Sequence, residues 1–283
     1  MKLSQPTADL FVPDRTDAAA ALARTTHLAV AAHQDDIEIM AADGILACFD
    51  RPDRWFTGVV VTDGAASPRE GRYREYTDAE MRAVRREEQR KAAGVGRYAA
   101  VAQLDHGSGA VKDAADRRPT DDIERVLRAT RPSVVYTHNL ADKHDTHVAV
   151  ALRTIDAARR LPSAERPSRL YGCEVWRDLD WVPDAEKVVF DVSAREDLRV
   201  ALVGVFDSQI AGGKRYDLAT EGRRRANATY AAPHGTDEAT ACIYALDLAP
   251  LVEDESLDPA AFARGVIERF RADVEGRIAR LRR

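Results

Sequence analysis

Short apolar runs recur along the chain, and each one ends at polar or turn-forming residues. Four of these runs have the length and composition of buried β-strands: 28–32, 58–62, 133–137 and 187–192. Segments with the apolar spacing of helices lie between them, and this alternation is typical of a mostly parallel sheet with helices on both faces. The pattern therefore predicts an α/β fold.

Three segments show helical spacing clearly: 77–93, 121–129 and about 258–281. The first is highly charged, and its apolar side (Met81, Val84 and Ala92) is narrow. The last is an amphipathic helix that begins with the start signal Asp258-Pro259. Its apolar stripe favours packing against the rest of the chain, with a contact in a homo-oligomer as the alternative. Because no segment resembles a linker, we expect a single domain over residues 1–283.

Composition excludes several classes of protein. The 283 residues carry a net charge of -5 with acids and bases well mixed, and no basic stripe suggests binding to nucleic acid. No apolar run is long enough to span a membrane, and the first residues contain Pro and acids where a signal peptide needs an apolar core. Three scattered cysteines fit a reducing compartment better than a disulfide framework. We therefore expect a cytoplasmic protein.

The first predicted strand ends in one imidazole and two adjacent carboxylates: His33, Asp35 and Asp36. In open α/β sheets, functional residues collect beyond the carboxyl ends of strands. A tight turn can aim residues three apart at one point, and a His nitrogen with a carboxylate oxygen suits Zn²⁺ or a similar ion. The alternative is that Asp36 caps the following helix.

A second cluster follows the third predicted strand. The stretch YTHNLADKHDTHVAV (136–150) contains His138, Asp142, His144 and His147, so the two stretches hold four of the seven histidines in the chain. His144 and His147 would share one side of a helix. His138 better fits a structural role than a ligand. We expect the third metal ligand to come from this cluster.

Together, these stretches resemble the PIG-L/LmbE-like family of metal-dependent N-acetylglucosaminyl deacetylases. The family motif A-H-P-D-D-x-E appears as AHQDDIE at 32–38, and D-x-H-x-D-H appears as DKHDTH at 142–147. VVVTDG at 59–64 is similar to its strand and T-D-G turn, and 85–96 is similar to R-x-x-E-x-x-x-A-x-x-L-G. The resemblance covers about the first 210 residues. Gln34 and Thr146 depart from the usual Pro and Asp.

The resemblance implies a Rossmann-like metallohydrolase that removes an acyl group, chiefly acetyl, from a small-molecule amino-sugar conjugate. The implied metal ligands are His33, Asp36 and His147. They would bind Zn²⁺, with Fe²⁺ or another divalent ion as the alternative. Asp35 would be the general base for metal-activated water. His144 would stabilise the oxyanion as a protonated imidazole or protonate the leaving amine, with Asp142 holding its tautomer.

Other residues are candidates for substrate contacts or support. Arg85 would bind a hydroxyl of the substrate, and Gln34 would add a polar contact. Trp176 would pack against the sugar ring, although packing in the core or a lid is the favoured role for it. Glu38 would orient a ligand histidine or remain a solvated helix residue. The basic stretch 212–227 would meet an anionic group or form a solvated face.

Three other functions remain as alternatives. The first is a metallohydrolase that acts on a non-sugar N-acyl amide. The second is a non-catalytic metal-binding or ligand-binding protein of the same fold, which the retention of Asp35 disfavours because binding needs no base. The third is an iron(II) oxygenase, whose triad also has two histidines and one carboxylate. Alternating strands and helices argue against that third function.

Overall fold

The computed structural model describes residues 1–282 and is built around one sheet of eight strands; Arg283, the last residue of the predicted domain, lies outside the described residues. In chain order the strands are β1 (Asp9–Phe11), β2 (His27–Ala31), β3 (Phe56–Thr62), β4 (Ala100–His106), β5 (Val134–His138), β6 (Arg169–Cys173), β7 (Lys187–Asp191) and β8 (Cys242–Asp247). Across the sheet they lie in the order β1-β4-β3-β2-β5-β6-β8-β7. The five strands from β4 to β6 are parallel, and β1, β8 and β7 pair antiparallel at the two sides. The predicted α/β fold is confirmed.

Helices connect these strands and flank the sheet. The α-helices within residues 1–282 are α1 (Ala18–Ala23), α2 (Asp36–Met40), α3 (Ala42–Cys48), α4 (Asp78–Val95), α5 (Ser108–Lys112), α6 (Arg118–Thr130), α7 (Asp145–Arg159), α8 (Glu196–Gly204), α9 (Asp207–Ile210), α10 (Tyr216–Thr229), α11 (Ala249–Glu253) and α12 (Pro259–Leu281). Short 3₁₀ turns occur at Gly71–Tyr73, Ser163–Glu165 and Asp184–Glu186.

Both faces of the sheet are buried, because successive side chains of a strand point to opposite faces. Val30 of β2 packs with Val126 of α6 and Ile155 of α7 in one apolar cluster. Its neighbour Ala31 belongs to a second cluster, which includes Ile37 of α2. Burial on both faces explains why β2 and β3 read as continuous apolar runs.

The fourth predicted strand was placed wrongly in the sheet. Residues 187–192 do form a strand, but β7 is the outermost one and pairs antiparallel with β8. Val189 is 50% exposed, whereas Phe190 packs against the core. An edge strand has one open side, so the apolar run reflects a half-buried position rather than a central one.

Four strands were missed by the apolar pattern: β1, β4, β6 and β8. In β4 every residue is buried, yet Gln103 and His106 interrupt the apolar run. Gln103 donates to the carbonyl of Arg86 at 3.0 Å, and Nε2 of His106 lies 3.0 Å from the Asp122 carboxylate. Buried polar groups with specific partners are tolerated in a core. Such pairs cannot be recognised before the fold is known.

Helix α4 occupies the segment predicted for it, and its start is a capping box between Thr77 and Glu80. Its buried side contains the predicted apolar residues Met81 and Ala92 and, in addition, the polar Arg85, Glu88 and Gln89. Glu88 accepts hydrogen bonds from the backbone and the hydroxyl of Ser208 at 2.7 and 2.6 Å. The charged helix therefore serves as a source of buried polar contacts.

Strand order brings the two predicted clusters together. The chain moves outward from β2 through β3 to β4 and then returns to β5 on the other side of β2. The connections diverge at this point, and a crevice forms where ligands bind in open α/β sheets. The segments that follow β2 and β5 therefore begin at neighbouring positions on one edge of the sheet.

The amphipathic helix predicted at the end of the chain is α12. Val266 is buried in the core cluster, and Phe270 lies edge-on to Trp181 with ring centroids 6.0 Å apart. Further along, Ile278 and Leu281 are exposed. Packing therefore accounts for the first half of the apolar stripe, while a homo-oligomer stays a prediction. No helix within residues 1–282 has the length and apolar character needed to cross a membrane.

Gly172 in β6 lies close to the core, and we expect Gly172→Ala to destabilise the protein. A Cβ there would lie 2.8 Å from Cδ1 of Leu248 and 3.2 Å from Cα of Asn139, which belongs to the backbone after β5. Overpacking of this kind costs about 1–3 kcal/mol in the free energy of unfolding, measurable by urea denaturation.

The matched control is Gly222→Ala in α10, where a Cβ would meet no described atom within 4 Å. Alanine favours a helix over glycine by about 0.5–1 kcal/mol, so this variant should be as stable as the parent or more stable. Equal stability of both variants would contradict the packing described for β6.

Candidate metal and catalytic site

Three side chains converge at the carboxyl ends of β2 and β5. His33 follows β2, Asp36 is the first residue of α2, and His147 lies in the first turn of α7. Nδ1 of His33 is 3.2 Å from Oδ2 of Asp36, and Nε2 of His147 is 3.3 Å from each of these atoms. Two imidazole nitrogens and one carboxylate oxygen suit a divalent ion with an open position. The structure thus brings the three predicted ligands together.

Electrostatics at this point favour positive charge. Burial alone would raise the pKa of Asp36, but the charge of His147 and the hydrogen bonds from His147 and His33 hold that pKa well below its usual range. Burial opposes protonation of His147, yet Asp36 and Asp142 outweigh it and raise the pKa of His147 to about 9. The carboxylates therefore stabilise a cation here, which a proton or a metal ion can supply.

Asp36 does not cap α2, which removes the alternative role considered for it. Its Oδ2 turns back and accepts the backbone N–H of His33 at 2.8 Å. Asp35 occupies the position before the helix with φ +96° and makes no capping hydrogen bond. Non-glycine residues rarely adopt such a backbone angle, and such strain clusters at functional sites. The adjacent carboxylates consequently have different partners.

Asp35 lies beside a buried arginine. Oδ2 of Asp35 is 3.3 Å from Nη2 of Arg85, and the Asp35 side chain is 6% exposed. Burial raises the pKa of Asp35 to about 7, although Arg85 acts in the opposite direction. A carboxylate with a pKa near neutrality is suited to accept and return a proton.

The structure does not place Gln34 where it could contact substrate, so that prediction is wrong. Its side chain is buried, with Nε2 donating to the carbonyl of Thr62 at 3.4 Å and to Oε1 of Gln103 at 3.3 Å. Its Oε1 accepts from Nε of Arg85 at 3.3 Å. A Cβ at Gly64, which has φ +69°, would collide with this amide. The T-D-G turn therefore needs its glycine.

Arg85 faces the cavity at the site, but its guanidinium is engaged by the protein. Besides Asp35, it donates to the hydroxyl of Ser67 at 2.6 Å and to both oxygens of Gln34. These contacts satisfy all three of its nitrogens. The geometry consequently links Arg85 to the orientation of Asp35 rather than to the predicted hydroxyl of the substrate.

Asp142 contacts a different ring from the one expected. Its Oδ2 is 3.4 Å from Nδ1 of His147 and accepts the backbone N–H of Trp176 at 3.1 Å. Its Oδ1 accepts the backbone N–H of His144 at 3.0 Å and makes no contact with that ring. A carboxylate behind a metal-binding histidine fixes the tautomer and orientation of the ring. Asp142 therefore supports His147.

His144 is packed among three aromatic rings. The centroid of its ring lies 5.1 Å from His33, 4.5 Å from His147 and 6.3 Å from Trp176. Burial, followed by the charge of His147, lowers the pKa of His144. This works against the predicted protonated imidazole. A neutral imidazole still offers one N–H donor to the cavity.

His138 is fully buried beneath the site. Its Nε2 accepts the backbone N–H of Ala32 at 2.9 Å, and its ring stacks on His147 with centroids 3.9 Å apart. Burial, then the charge of His147, holds the pKa of His138 well below its usual range. His138, Asp142 and His147 are also close enough to one another to hold a metal ion together. The occupied Nε2 favours the structural role for His138.

Glu38 neither orients a histidine nor lies in solvent, so both expectations for it are wrong. It is 1% exposed, and its Oε1 accepts from Gln89 and from the hydroxyl of Tyr98, each at 2.8 Å. Burial raises the pKa of Glu38 to about 8, with these hydrogen bonds acting in the opposite direction. Its side chain connects α2 to α4.

A cavity of about 430 Å³ opens over the site. Its wall contains Asp35, Trp176 and polar side chains from distant segments: Ser67, Ser108, Lys112, Gln209, Lys214 and Tyr216. The basic stretch 212–227 therefore does reach the cavity, but only its first part does so. Arg215 and Arg224 form ion pairs with Asp217 and Glu221 at 2.8 and 2.6 Å.

Glu38 generates a prediction about stability and pH. The pKa of about 8 in the folded state lies above the ordinary value of about 4.3, so the folded form holds the proton more tightly. This contribution to stability is present below pH 4 and is lost as the pH rises to 8. The free energy of unfolding of Glu38→Gln should therefore exceed that of the parent by at least about 1 kcal/mol at pH 8, whereas the two should differ little at pH 4. Urea unfolding across this range measures it, with exposed Glu238→Gln as the control.

Asp142 generates a prediction about metal affinity. Because it supports His147, Asp142→Asn should weaken binding of Zn²⁺ by about 10- to 100-fold in competition with a chromophoric chelator. His144→Ala should leave this affinity near that of the parent. The reverse pattern would restore His144 as the partner that matters.

Solved structures with the same fold include enzymes of two kinds. N,N'-diacetylchitobiose deacetylase from Pyrococcus horikoshii is 15% identical with a TM-score of 0.62, covering 81% of this chain and 86% of its own. The A40926 pseudoaglycone deacetylase is 19% identical with a TM-score of 0.55, covering 79% and 97%. The 4-carboxy-2-hydroxymuconate hydratase from Pseudomonas putida is 17% identical with a TM-score of 0.58, covering 79% and 96%. At these identities the likeness concerns the fold.

Sequence comparison is more specific about the region that contains the site. No curated protein matches the chain significantly. A model of the PIG-L family, described as GlcNAc-PI de-N-acetylase, matches residues 28–158. This segment contains both strand-end motifs and the three side chains that converge there. Residues 28–158 of the chain therefore match the PIG-L family model, which confirms the resemblance predicted from the motifs.

Proposed function

We propose that the protein is a metal-dependent N-deacylase that hydrolyses the amide of an N-acylated amino-sugar conjugate. The observation that carries this proposal is the arrangement of Asp35 and Arg85 next to the convergent ligands, all opening into one cavity. A metal-binding protein needs no carboxylate with a pKa near 7, whereas hydrolysis needs a base. The PIG-L family match supports the choice of amide.

His33, Asp36 and His147 fit a divalent ion in number, type and proximity. When bound there, Zn²⁺ or Fe²⁺ would polarise the acyl carbonyl and lower the pKa of the attacking water to about 7. Asp142 keeps Nδ1 of His147 engaged, so that Nε2 stays directed at the other two ligands. These contacts would keep the metal-coordinating atoms in a fixed orientation.

Proton transfer is assigned to Asp35. Its carboxylate accepts a proton from the attacking water and returns it to the nitrogen as the C–N bond breaks. Arg85 keeps one oxygen of Asp35 in place, and Gln89 accepts the backbone N–H of Asp35 at 3.4 Å. His144, as a neutral imidazole, donates its single ring N–H to the developing oxyanion.

The cavity over the site suits the sugar. The amide of Gln209 and the ammonium of Lys214, which lies 4.9 Å from the centre of the Trp176 ring, can bind sugar hydroxyls, and Trp176 contributes an aromatic wall. Hydration of a carboxylated alkene is the second candidate, because Lys112 and Lys214 also suit a carboxylate and the hydratase shares the fold. Both reactions use an activated water.

Asp35→Asn should separate catalysis from metal binding. It keeps the shape of the side chain but removes the base, so we expect metal content equal to that of the parent and turnover lower by about 100- to 10,000-fold. Metal analysis and amine release are measured on the same sample. Asp145→Asn, at an exposed position of α7, is the control. Near-normal turnover of Asp35→Asn would assign the base elsewhere.

The reaction is tested by a substrate panel with metal-loaded protein. N-acetylglucosamine conjugates, N-acetyl amino acids and 4-carboxy-2-hydroxymuconate are compared, following free amine, acetate and loss of the alkene. We expect acetate and amine from the sugar conjugates, because a site with polar groups for hydroxyls rejects analogues that lack them. Preference for N-acetyl amino acids would retain the hydrolase and discard the sugar, and loss of the alkene alone would identify a hydratase.

A further inference from the structure

A second cavity adjoins the site. Its volume is about 260 Å³, and it shares Asp36, Trp176 and Tyr216 with the larger cavity. The rings of Trp176 and Tyr216 meet edge to face with centroids 6.2 Å apart. They form a partition, so that the metal ligand Asp36 is reached from two sides.

The walls of the second cavity are chiefly apolar. They contain Ile39 of α2, Val175 after β6, Ala219 of α10 and Ile243 of β8, together with the two rings of the partition. Such a surface binds hydrocarbon groups, because the burial of apolar area drives association.

The wall also contains Lys143 and Arg223, and the charged groups other than Lys143 are engaged within the protein. Arg223 donates to the carbonyl of Val175. Glu174 accepts the backbone N–H groups of Leu179 and Tyr244, each at 3.1 Å. Nη2 of Arg224 donates to the carbonyl of Glu38 at 2.8 Å, and Nη1 donates to the Glu221 carboxylate at 2.6 Å. These partners satisfy the carboxylate of Glu174 and the two terminal nitrogens of Arg224.

The position of the base shows which part of an amide would enter each cavity. Asp35 and His144 line the larger cavity and not the second one. The leaving nitrogen must lie near the group that protonates it, so the sugar occupies the larger cavity. The acyl carbon carries its substituent away from that nitrogen, which directs the acyl chain past Asp36 into the second cavity.

We propose that the second cavity binds the hydrocarbon chain of a medium-length acyl group, so that the preferred substrate is an N-acyl amino sugar with a chain longer than acetyl. This rests on the proposed function. An apolar cavity of about 150 Å³ holds benzene, so the larger volume here suits a chain of about six to ten carbons. Hydrolysis adds the hydroxyl of water to the acyl carbon and its proton to the nitrogen, releasing a fatty acid and a free amine.

The test is a chain-length series of N-acylglucosamines from acetyl to decanoyl. Burial of one methylene corresponds to about 0.8 kcal/mol, or about fourfold, so we expect kcat/KM to rise by about two- to fourfold per methylene up to octanoyl. Ala219→Trp, and Ala219→Phe as a second variant, place a ring in the second cavity from an exposed helix position. They should bring the octanoyl-to-acetyl ratio close to one.

The matched control is Leu218→Trp, the same substitution at the adjacent position of α10, which is 61% exposed and does not line the cavity. It should keep the ratio of the parent. A flat chain-length series in the parent, or a ratio that survives both Ala219 variants, would overturn the proposal.

Binding separates this proposal from the proposed function. Isothermal titration of metal-loaded Asp35→Asn with N-octanoylglucosamine and N-acetylglucosamine should show tighter binding of the octanoyl compound by at least about tenfold. Ala219→Trp should abolish this difference. If no N-acyl amino sugar is hydrolysed while this preference is present, the acyl cavity stands and the proposed activity fails. If the acetyl compound is hydrolysed and both compounds bind equally well, the activity stands and the acyl cavity fails.

Discussion

A buried carboxylate between imidazoles is the interaction on which the site depends. Asp36 lies within 3.3 Å of the ring nitrogens of His33 and His147, and it is nearly inaccessible to solvent. A buried carboxylate is costly unless positive charge compensates it. The three side chains therefore cannot be regarded as independent: Asp36 and His147 balance each other's charge, and His33 adds a ring nitrogen 3.2 Å from the same carboxylate.

This constraint explains why so much of the surrounding structure is polar. Helix α2 has only five residues, too few to be stable in isolation, so it relies on its neighbours. Gln89 of α4 donates to Glu38, and Arg224 of α10 donates to the carbonyls of Glu38 and Ile39 at 2.8 and 3.1 Å. Two helices far apart in sequence thus hold the short segment that presents Asp36 and the strained Asp35.

The sequence was sufficient for the parts of the molecule in which residue type and local spacing determine position. The apolar strands β2 and β5 and the motifs that follow them could be predicted, and with them the convergence of His33, Asp36 and His147. The contact partner of each polar side chain could not be predicted in this way. Asp142 precedes His144 by two residues yet contacts the ring of His147, since the first turn of α7 directs that ring back toward it.

Contacts between distant segments were equally hidden. Gln34 was expected to contact substrate, but β4 supplies Gln103 and α4 supplies Arg85 to bury it. Tyr216 reaches the site from a stretch noticed only for its basic charge. Such encounters depend on how elements pack, and a single sequence records no pattern for them.

The chemistry and the apolar wall reside in different parts of the chain. The proposed ligands, the proposed base and Arg85 lie within 28–158, whereas Val175, Ala219 and Ile243 come from later segments. Substitutions at wall positions such as Ala219 of α10 can therefore reshape the second cavity without altering the side chains of that cluster. This separation makes the apolar wall the more evolvable part of the molecule.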